Sequence, residues 1–398
     1  MDAANPGPTV AGAMKIAIVA HLAYPALART GTGHIGGVEH QTTMMARWLA
    51  ARGHDVSLLV WDEGQPADLE IDGVKVVPLC RRDEGWPILR FVHPRWTSLW
   101  RALERVDADV CYHNCGEYVT GQVALWCRLR RRAFVYSTAS DADCDVRLPL
   151  MPEWRVRVLY RLGLRLADAV VAQTERQRRM LADGFARSAT VIPMPCLTPQ
   201  GAARPAHGSR TVLWIGRICR VKRPDRLLEV ARACPDLEFV IAGGGDDAPE
   251  YVREITERAA AVPNVTLLGA QTHDRIDDLL GRALCLCCTS DREGFPNTFL
   301  EAWSHGRPVV TTWDPDGMIA PNRLGIVGGD APALAAAIER LAASPAEWEE
   351  ISRNALAYFE EHHARDRVMP RFEAVFAEAV AARSGARVAA KIAERAIG

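Results

Sequence analysis

Apolar runs of three to six residues recur along the chain, separated by longer stretches in which apolar residues fall three and four apart. Runs of the first kind suit buried strands, and stretches of the second suit helices with one buried face. In the first half the runs are Ile16–Ala20, Val56–Trp61, Val74–Pro78, Val110–Tyr112, Phe134–Ser137, Ala169–Gln173 and Ala189–Ile192. Helical stretches lie between most of them, for instance Val38–Arg52, Thr97–Arg105 and Glu153–Ala167. Residues 196–210, rich in Pro, Gly and Ala, follow neither period and read as a linker. The alternation then restarts with strands Thr211–Ile215, Glu238–Ala242, Val265–Leu268, Leu284–Cys288 and Pro308–Thr311, and helices Pro224–Ala233, Tyr251–Ala261, Asp274–Arg282 and Pro332–Ala343. This pattern predicts an α/β protein of two doubly wound, Rossmann-like domains, 14–195 and 211–370, facing across a cleft. Ligands then bind where the carboxyl ends of the strands meet. Residues 1–13 are small and rich in Pro and Gly, as expected of a disordered leader, and 371–398 read as a C-terminal helical region.

Composition changes this picture little. A chain of 398 residues exceeds one typical core, in keeping with two domains. With 48% hydrophobic and 24% charged residues and a net charge of -1, no bulk attraction to nucleic acid is expected. The eleven cysteines read as reduced core thiols of a cytoplasmic protein rather than a disulfide frame. The one C-x-x-C, Cys285 to Cys288, lies inside an apolar run with Cys287 and has no second pair, which favours core thiols over a redox or zinc site. Cys111-x-His113-x-Cys115 likewise reads as a strand end with incidental thiols. No apolar run approaches the ~18 residues of a membrane span. Met14-Lys15 and the run to Ala28 mimic a secretory signal, but Lys-Ile-Ala-Ile-Val-Ala equally describes a first buried strand.

The chemistry is placed on Cys285 to Glu301. Glu293 falls on the loop after a strand, Gly294 permits a tight backbone, and Pro296 suits the first position of a helix running to His305 and ended by Gly306. Free N–H groups from Gly294 through Phe295, Asn297 and Thr298 form an anion site, with Glu301 inside the helix. Two carboxylates beside a phosphate cradle suit a ligand with both phosphates and sugar hydroxyls. After the strand Thr211–Ile215, Arg217 offers a rigid fork and Lys222 a point charge, in a chain where lysine is rare; an exposed basic turn is the competing reading. Gly31-Thr-Gly-His-Ile-Gly36 matches G-x-G-x-x-G, yet about ten residues separate it from the preceding strand, where a dinucleotide fingerprint needs the glycine at once. Trp86 to Arg105, and the stripe Arg157, Arg161, Arg165, are either solvated faces or contacts for an anionic membrane surface.

The composite Glu293-Gly-Phe-Pro-Asn297, Glu301 eight residues on, then His305-Gly-Arg-Pro-Val-Val310, resembles the retaining nucleotide-sugar glycosyltransferases of the GT-B fold, family 4. The resemblance covers most of residues 14–380 and is strongest from 211 to 311. It implies Arg217, Lys222, the Gly294–Thr298 backbone (Pro296 included) and Gly37 on the donor diphosphate, Glu301 on the ribose, and Ala270 and Gln271 at the base. Glu293 is implied as catalytic beside the donor sugar, and Gly36, Gly37 and His40 as the acceptor loop. Gly243 to Gly245 resembles the family's glycine turn, with a plain strand-to-helix turn as the competing reading. The family's histidine near the donor sugar is missing here, and Asp141 or Asp143 is the candidate for its place. Asp141-x-Asp143-x-Asp145 is open to two other readings, a metal-binding D-x-D of the GT-A kind and aspartates capping a turn. The resemblance further implies no metal and no cofactor beyond a nucleotide-diphosphate sugar as co-substrate. The acceptor would be a sugar, a lipid-linked or a small-molecule hydroxyl, with peripheral contact at the inner membrane face in the lipid-linked case. In this fold the C-terminal helical region crosses back to the first domain. The rival readings are a dinucleotide-dependent oxidoreductase and a non-catalytic membrane-peripheral protein of the same fold.

Overall fold

The computed structural model describes residues 12–30, 36–66, 68–87, 89–199, 207–245 and 249–397, with side chains to residue 385. Most of the expected leader, Gly31 to Ile35 of the glycine stretch and the middle of the linker lie outside the described residues.

The first sheet comprises β1 (Lys15–Val19), β2 (Asp55–Val60), β3 (Glu70–Ile71), β4 (Val74–Pro78), β5 (Val110–Asn114), β6 (Ala133–Ser137), β7 (Ala169–Ala172) and β8 (Thr190–Val191). The second comprises β9 (Thr211–Ile215), β10 (Glu238–Ala242), β11 (Val265–Gly269), β12 (Cys285–Cys288), β13 (Val309–Thr311) and β14 (Gly325–Val327). Their orders are β3-β4-β2-β1-β5-β6-β7-β8 and β11-β10-β9-β12-β13-β14. All pairings are parallel except β3 with β4. Strands buried on both faces explain the near-continuous apolar runs: β12 is wholly buried, its three cysteines included. All eleven cysteines are free thiols. The edge strands β3 and β14 are two and three residues long, too short for any sequence period to show.

The strand order reverses beside β1 in the first sheet and beside β9 in the second. Such switch points open a crevice at the strand carboxyl ends. Two crossings join the domains side by side: the Cys196 N–H donates to His363 O (2.8 Å) and the Arg365 N–H to Cys196 O (2.9 Å). From there the helix Arg365–Ile397 packs on the first domain, where Met369, Phe372 and Phe376 join the core that holds Ile16, Ile18 and Tyr112. Trp48 Nε1 donates to Asp366 (2.9 Å), and His54 Nε2 meets the buried Glu373 at 2.8 Å. His54 Nδ1 accepts from the Met14 N–H (3.1 Å), so the proton sits on Nε2 and is given to the carboxylate. A buried carboxylate satisfied in this way fixes the returning helix to the β1 and β2 side.

Candidate active site

The second-domain side is built on the loops after β9 and β12. Thr289, fully buried, accepts from Trp214 Nε1 (3.0 Å) and shares its proton between the carbonyls of Lys222 (2.9 Å) and Arg223 (2.8 Å). One hydroxyl thus locks the two loops together. Above it, Lys222 Nζ pairs with Glu293 Oε1, which also accepts from Ser290 Oγ (2.6 Å). The side chains are 26% and 12% exposed, so each charge is held in place yet open on one side. Arg217 lies exposed on the loop directly after β9. Gly243, with φ 159°, and Gly245 pass so close to the backbones of Gly216 and Ile218 that a side chain at either would overlap a carbonyl. These glycines set the floor of the β9–β10 crevice.

Pro296 is the N-cap, with ψ at 118°, so the helix runs Asn297–Ser304 and begins one residue later than its sequence suggests. Glu301 lies one turn in. Burial raises its carboxyl above the ordinary 4.5, opposed by His273 and reinforced by Asp277. Among the described residues nothing hydrogen-bonds that carboxylate; the residue's backbone carbonyl is the atom engaged, by His305 Nδ1 (2.9 Å) and Ser304 Oγ (2.7 Å). Gln271 Nε2 folds back on Leu268 O (2.7 Å) and Ala270 O (3.1 Å), with Ala270 itself exposed.

From the first domain, the helix Gly37–Ala51 starts at the same point in space. Gly36 is its N-cap, and the Gly36 N–H donates to Glu39 Oε2 (2.9 Å). A side chain on Gly37 would overlap the Asn297 amide, and Gln41 Nε2 donates to Asn297 Oδ1 (3.4 Å). The His40 and His273 rings lie 4.6 Å apart, and burial, then His273, push His40 down to about 4, so it is neutral at pH 7. The amino ends of two helices from different domains therefore face one another.

The three aspartates after β6 diverge. Asp143, 4% exposed, accepts on Oδ2 from the Ala139 (2.8 Å) and Ser140 (3.1 Å) N–H groups and shapes the turn; burial raises its carboxyl. Asp141 accepts from Gln177 Nε2 (3.2 Å) and pairs with Arg176 (2.9 Å). Asp145 is held by Arg147, which lowers it to about 2. Among the described residues no group of three His, Cys, Asp or Glu comes together that could hold a metal ion. Gly294 packs against Ser140, with an added Cβ 3.2 Å from Ser140 Cα, so the Glu293 loop reaches the Ser140–Asp141 turn. A cavity of about 370 Å³ opens there, lined by Asp141, Thr174, Arg176 and Arg179 from one domain and Gly294 and Trp313 to Gly317 from the other.

Sequence reasoning did not single out Thr289, Ser290, His273, Trp313 or Asp316. Trp313 Nε1 supports the Gly294 carbonyl (3.2 Å), and Asp316 accepts from the Glu175 (3.0 Å) and Arg176 (3.3 Å) N–H groups, capping a helix of the other domain. Asp314-Pro-Asp-Gly317 does announce a turn; its partner helix, some 140 positions away, leaves no local mark.

Two family models match the chain: "Glycosyl transferase 4-like domain" over residues 36–196 and "Glycosyl transferases group 1" over 209–344. The D-inositol 3-phosphate glycosyltransferase of Mycobacterium tuberculosis (strain ATCC 25177 / H37Ra) is 31% identical over 332 residues, covering 74% of this chain and 68% of that one. The protein of the same name from Mycolicibacterium vanbaalenii is 28% identical over 328 residues, covering 71% and 72%. A match to that of Mycolicibacterium gilvum, 31% identical, spans 161 residues, 36% of each chain. In fold, the chain is similar to Anabaena Alr3699/HepE in complex with UDP and glucose (TM-score 0.72, 18% identity, 92% of this chain and 99% of that one). It is likewise similar to sucrose-phosphate synthase from Thermosynechococcus elongatus (TM-score 0.76, 20% identity, 92% and 99%). The protein is a glycosyltransferase. It belongs to the family 4 type with the GT-B fold.

Proposed function

We propose that the protein transfers a sugar from a nucleoside-diphosphate donor to an acceptor hydroxyl, with retention at the anomeric carbon and without a metal ion. The observation that carries this reading is the meeting of two helix amino ends at Gly37 and Asn297. Each contributes unpaired N–H groups and partial positive charge, and together they suit a diphosphate bound between the domains. Breaking the anomeric C–O bond puts negative charge on that diphosphate and positive charge on the sugar ring. Lys222, Arg217 and the helix amino ends meet the first, and preorganised donors of this kind supply a large share of such catalysis. Glu293, held beside Lys222, stands ready for the second. Glu301, half-buried and with no donor to its carboxylate among the described residues, suits the two ribose hydroxyls.

Retention is supported by where the other carboxylates are committed. Asp143 is spent on its own turn and Asp141 on Gln177 and Arg176, which leaves neither poised as a base behind the sugar. The dinucleotide reading is disfavoured by Gly36, which caps its helix 17 residues past the end of β1 (19 to 36) rather than directly after a strand. Proteins of similar fold hold UDP, which puts uridine nucleotides first among donors to test, and the relatives' names put inositol phosphates first among acceptors. Domain closure over the donor would exclude water. The test is calorimetry with UDP, GDP and ADP and their sugar conjugates. Saturable binding of one diphosphate, tighter than its monophosphate, is expected; binding to none of them refutes the assignment.

A further inference from the structure

Ten large apolar side chains stand exposed among the described residues, and seven fall in two short segments of the first domain. Trp86, Leu89 and Val92 form one group; Val146, Leu150, Trp154 and Val158 form the other, with Trp86 80% and Trp154 76% exposed. The segments touch: the Arg155 guanidinium lies over the Phe91 ring at 5.1 Å, and Phe91 packs on Tyr118 at the same separation. Neither segment is loose. Arg95 donates to Arg82 O (2.6 Å), Arg157 to Met151 O (2.5 Å) and Arg161 to Val146 O (2.9 Å). The helix Trp154–Leu166 seats its inner face on Tyr118–Arg130 through glycines, where a Cβ at Gly163 would come within 2.6 Å of the Thr120 backbone. The core is complete without Trp154 and Val158, and both face outward.

Large apolar side chains exposed on two adjoining, hydrogen-bonded segments mark an interaction surface. Its charge says with what. Residues 81–95 and 145–165 together carry nine arginines against four acids, in a chain whose net charge is -1. We propose that this face docks on an anionic lipid bilayer, with Trp86 and Trp154 at the headgroup level and the arginines on lipid phosphates. A second copy fits poorly, since a two-fold contact would set the arginines against one another. Val146 lies five residues past Asp141, so docking places the cleft beside the bilayer, where an acceptor carried on a lipid could enter.

Flotation with vesicles of phosphatidylcholine alone, and with phosphatidylglycerol replacing about a third of the lipid, tests this. Binding is expected only to the anionic vesicles, weakening as salt is raised. Trp86→Ser with Trp154→Ser should lower the partition coefficient at least about tenfold, and Arg81→Ala with Arg90→Ala about 25-fold, taking roughly fivefold per basic side chain. Val221→Ser with Val327→Ser, exposed apolar residues on the second domain, should change nothing. Thermal melts of all variants should match the parent. Equal binding to neutral vesicles, no binding to either, or unchanged binding by the tryptophan variant would overturn the proposal. So would light scattering showing a dimer that the same two substitutions dissolve.

Discussion

Glu301→Gln should trade stability for function. In the ligand-free protein the carboxylate is half-buried with no hydrogen-bond donor among the described residues, and its partial removal from water raises its carboxyl above 4.5. A carboxyl raised on folding takes stability away as pH climbs through the unfolded value to the folded one, and the loss persists at neutral pH. A neutral amide of the same shape avoids that cost, so the variant should melt higher than the parent at pH 7, and the gain should shrink as pH falls toward 4.5. Its effect on the donor has the opposite sign. On the proposed ribose assignment, two hydroxyls donating to a charged group are replaced by a weaker neutral contact. Hydrogen bonds to charged groups are worth about 1.5–3 kcal/mol, so nucleoside-diphosphate affinity should fall about 10- to 150-fold. The contact is the same in ground and transition states, so KM should rise while kcat holds. In the parent, affinity should fall on acidification from a pH above that of an ordinary carboxylate, and the variant should lack this limb. Calorimetry with the bare nucleotide, thermal melts from pH 4 to 8 and steady-state kinetics supply the readouts. A variant that melts lower and binds the nucleotide as tightly as the parent would refute the reasoning.

Arg217→Ala and Lys222→Ala should each lower turnover about 10²–10³-fold with the fold intact, as for loss of one preorganised charge donor; near-normal rates in both would remove them from the diphosphate. Glu293→Gln should slow turnover with nucleotide affinity little changed, because a negative charge there matters most once the ring turns cationic; loss of nucleotide binding with kcat spared would reassign it. Asp316→Ala removes a cap worth about 0.5–2 kcal/mol across the domain gap and should raise the radius of gyration seen by small-angle scattering, with an unchanged radius arguing that the contact does not hold the domains. His113 and His363 are pushed down by burial to about 4, so the stability they lend is whole above 6.5 and lost as pH falls through 4. At about 1.4 kcal/mol for each tenfold in proton affinity, each contribution is bounded at about 3 kcal/mol, and His113→Gln should flatten the acid limb of a urea-melt series unless another group governs it.

The sheets were legible because parallel strands buried on both faces write themselves as short apolar runs. β4, β9 and β10 begin and end where the pattern placed them. Of the four edge strands, β8 and β11 fell where apolar runs placed them, whereas β3 and β14 were not legible: Glu70–Ile71 and Gly325–Val327 are short and lack an apolar run of their own. Within the site, the local geometry of Glu293 to Glu301 followed from one strand, one glycine and one helix start. The pairing of Lys222 with Glu293 did not, since it depends on Thr289 clamping two loops 66 and 67 positions apart. The aspartates after β6 show the same limit: three acids in alternation read as one cluster, yet each is turned aside by its own partner, a turn N–H, Gln177 or Arg147. Asp316 and Trp313 shape the cleft from across the domain boundary, where the sequence holds no record of the neighbour.

The most direct test of the account is the anomeric configuration of the product, read by proton NMR during transfer from an α-linked nucleoside-diphosphate sugar in the presence of excess chelator. On the proposed reading, Lys222, Arg217 and the two facing helix ends neutralise the leaving diphosphate, and neither Asp141 nor Asp143 serves as an opposing base. An α-linked product formed at an undiminished rate is therefore expected. A β-linked product, or transfer abolished by chelator and restored by manganese, would contradict it.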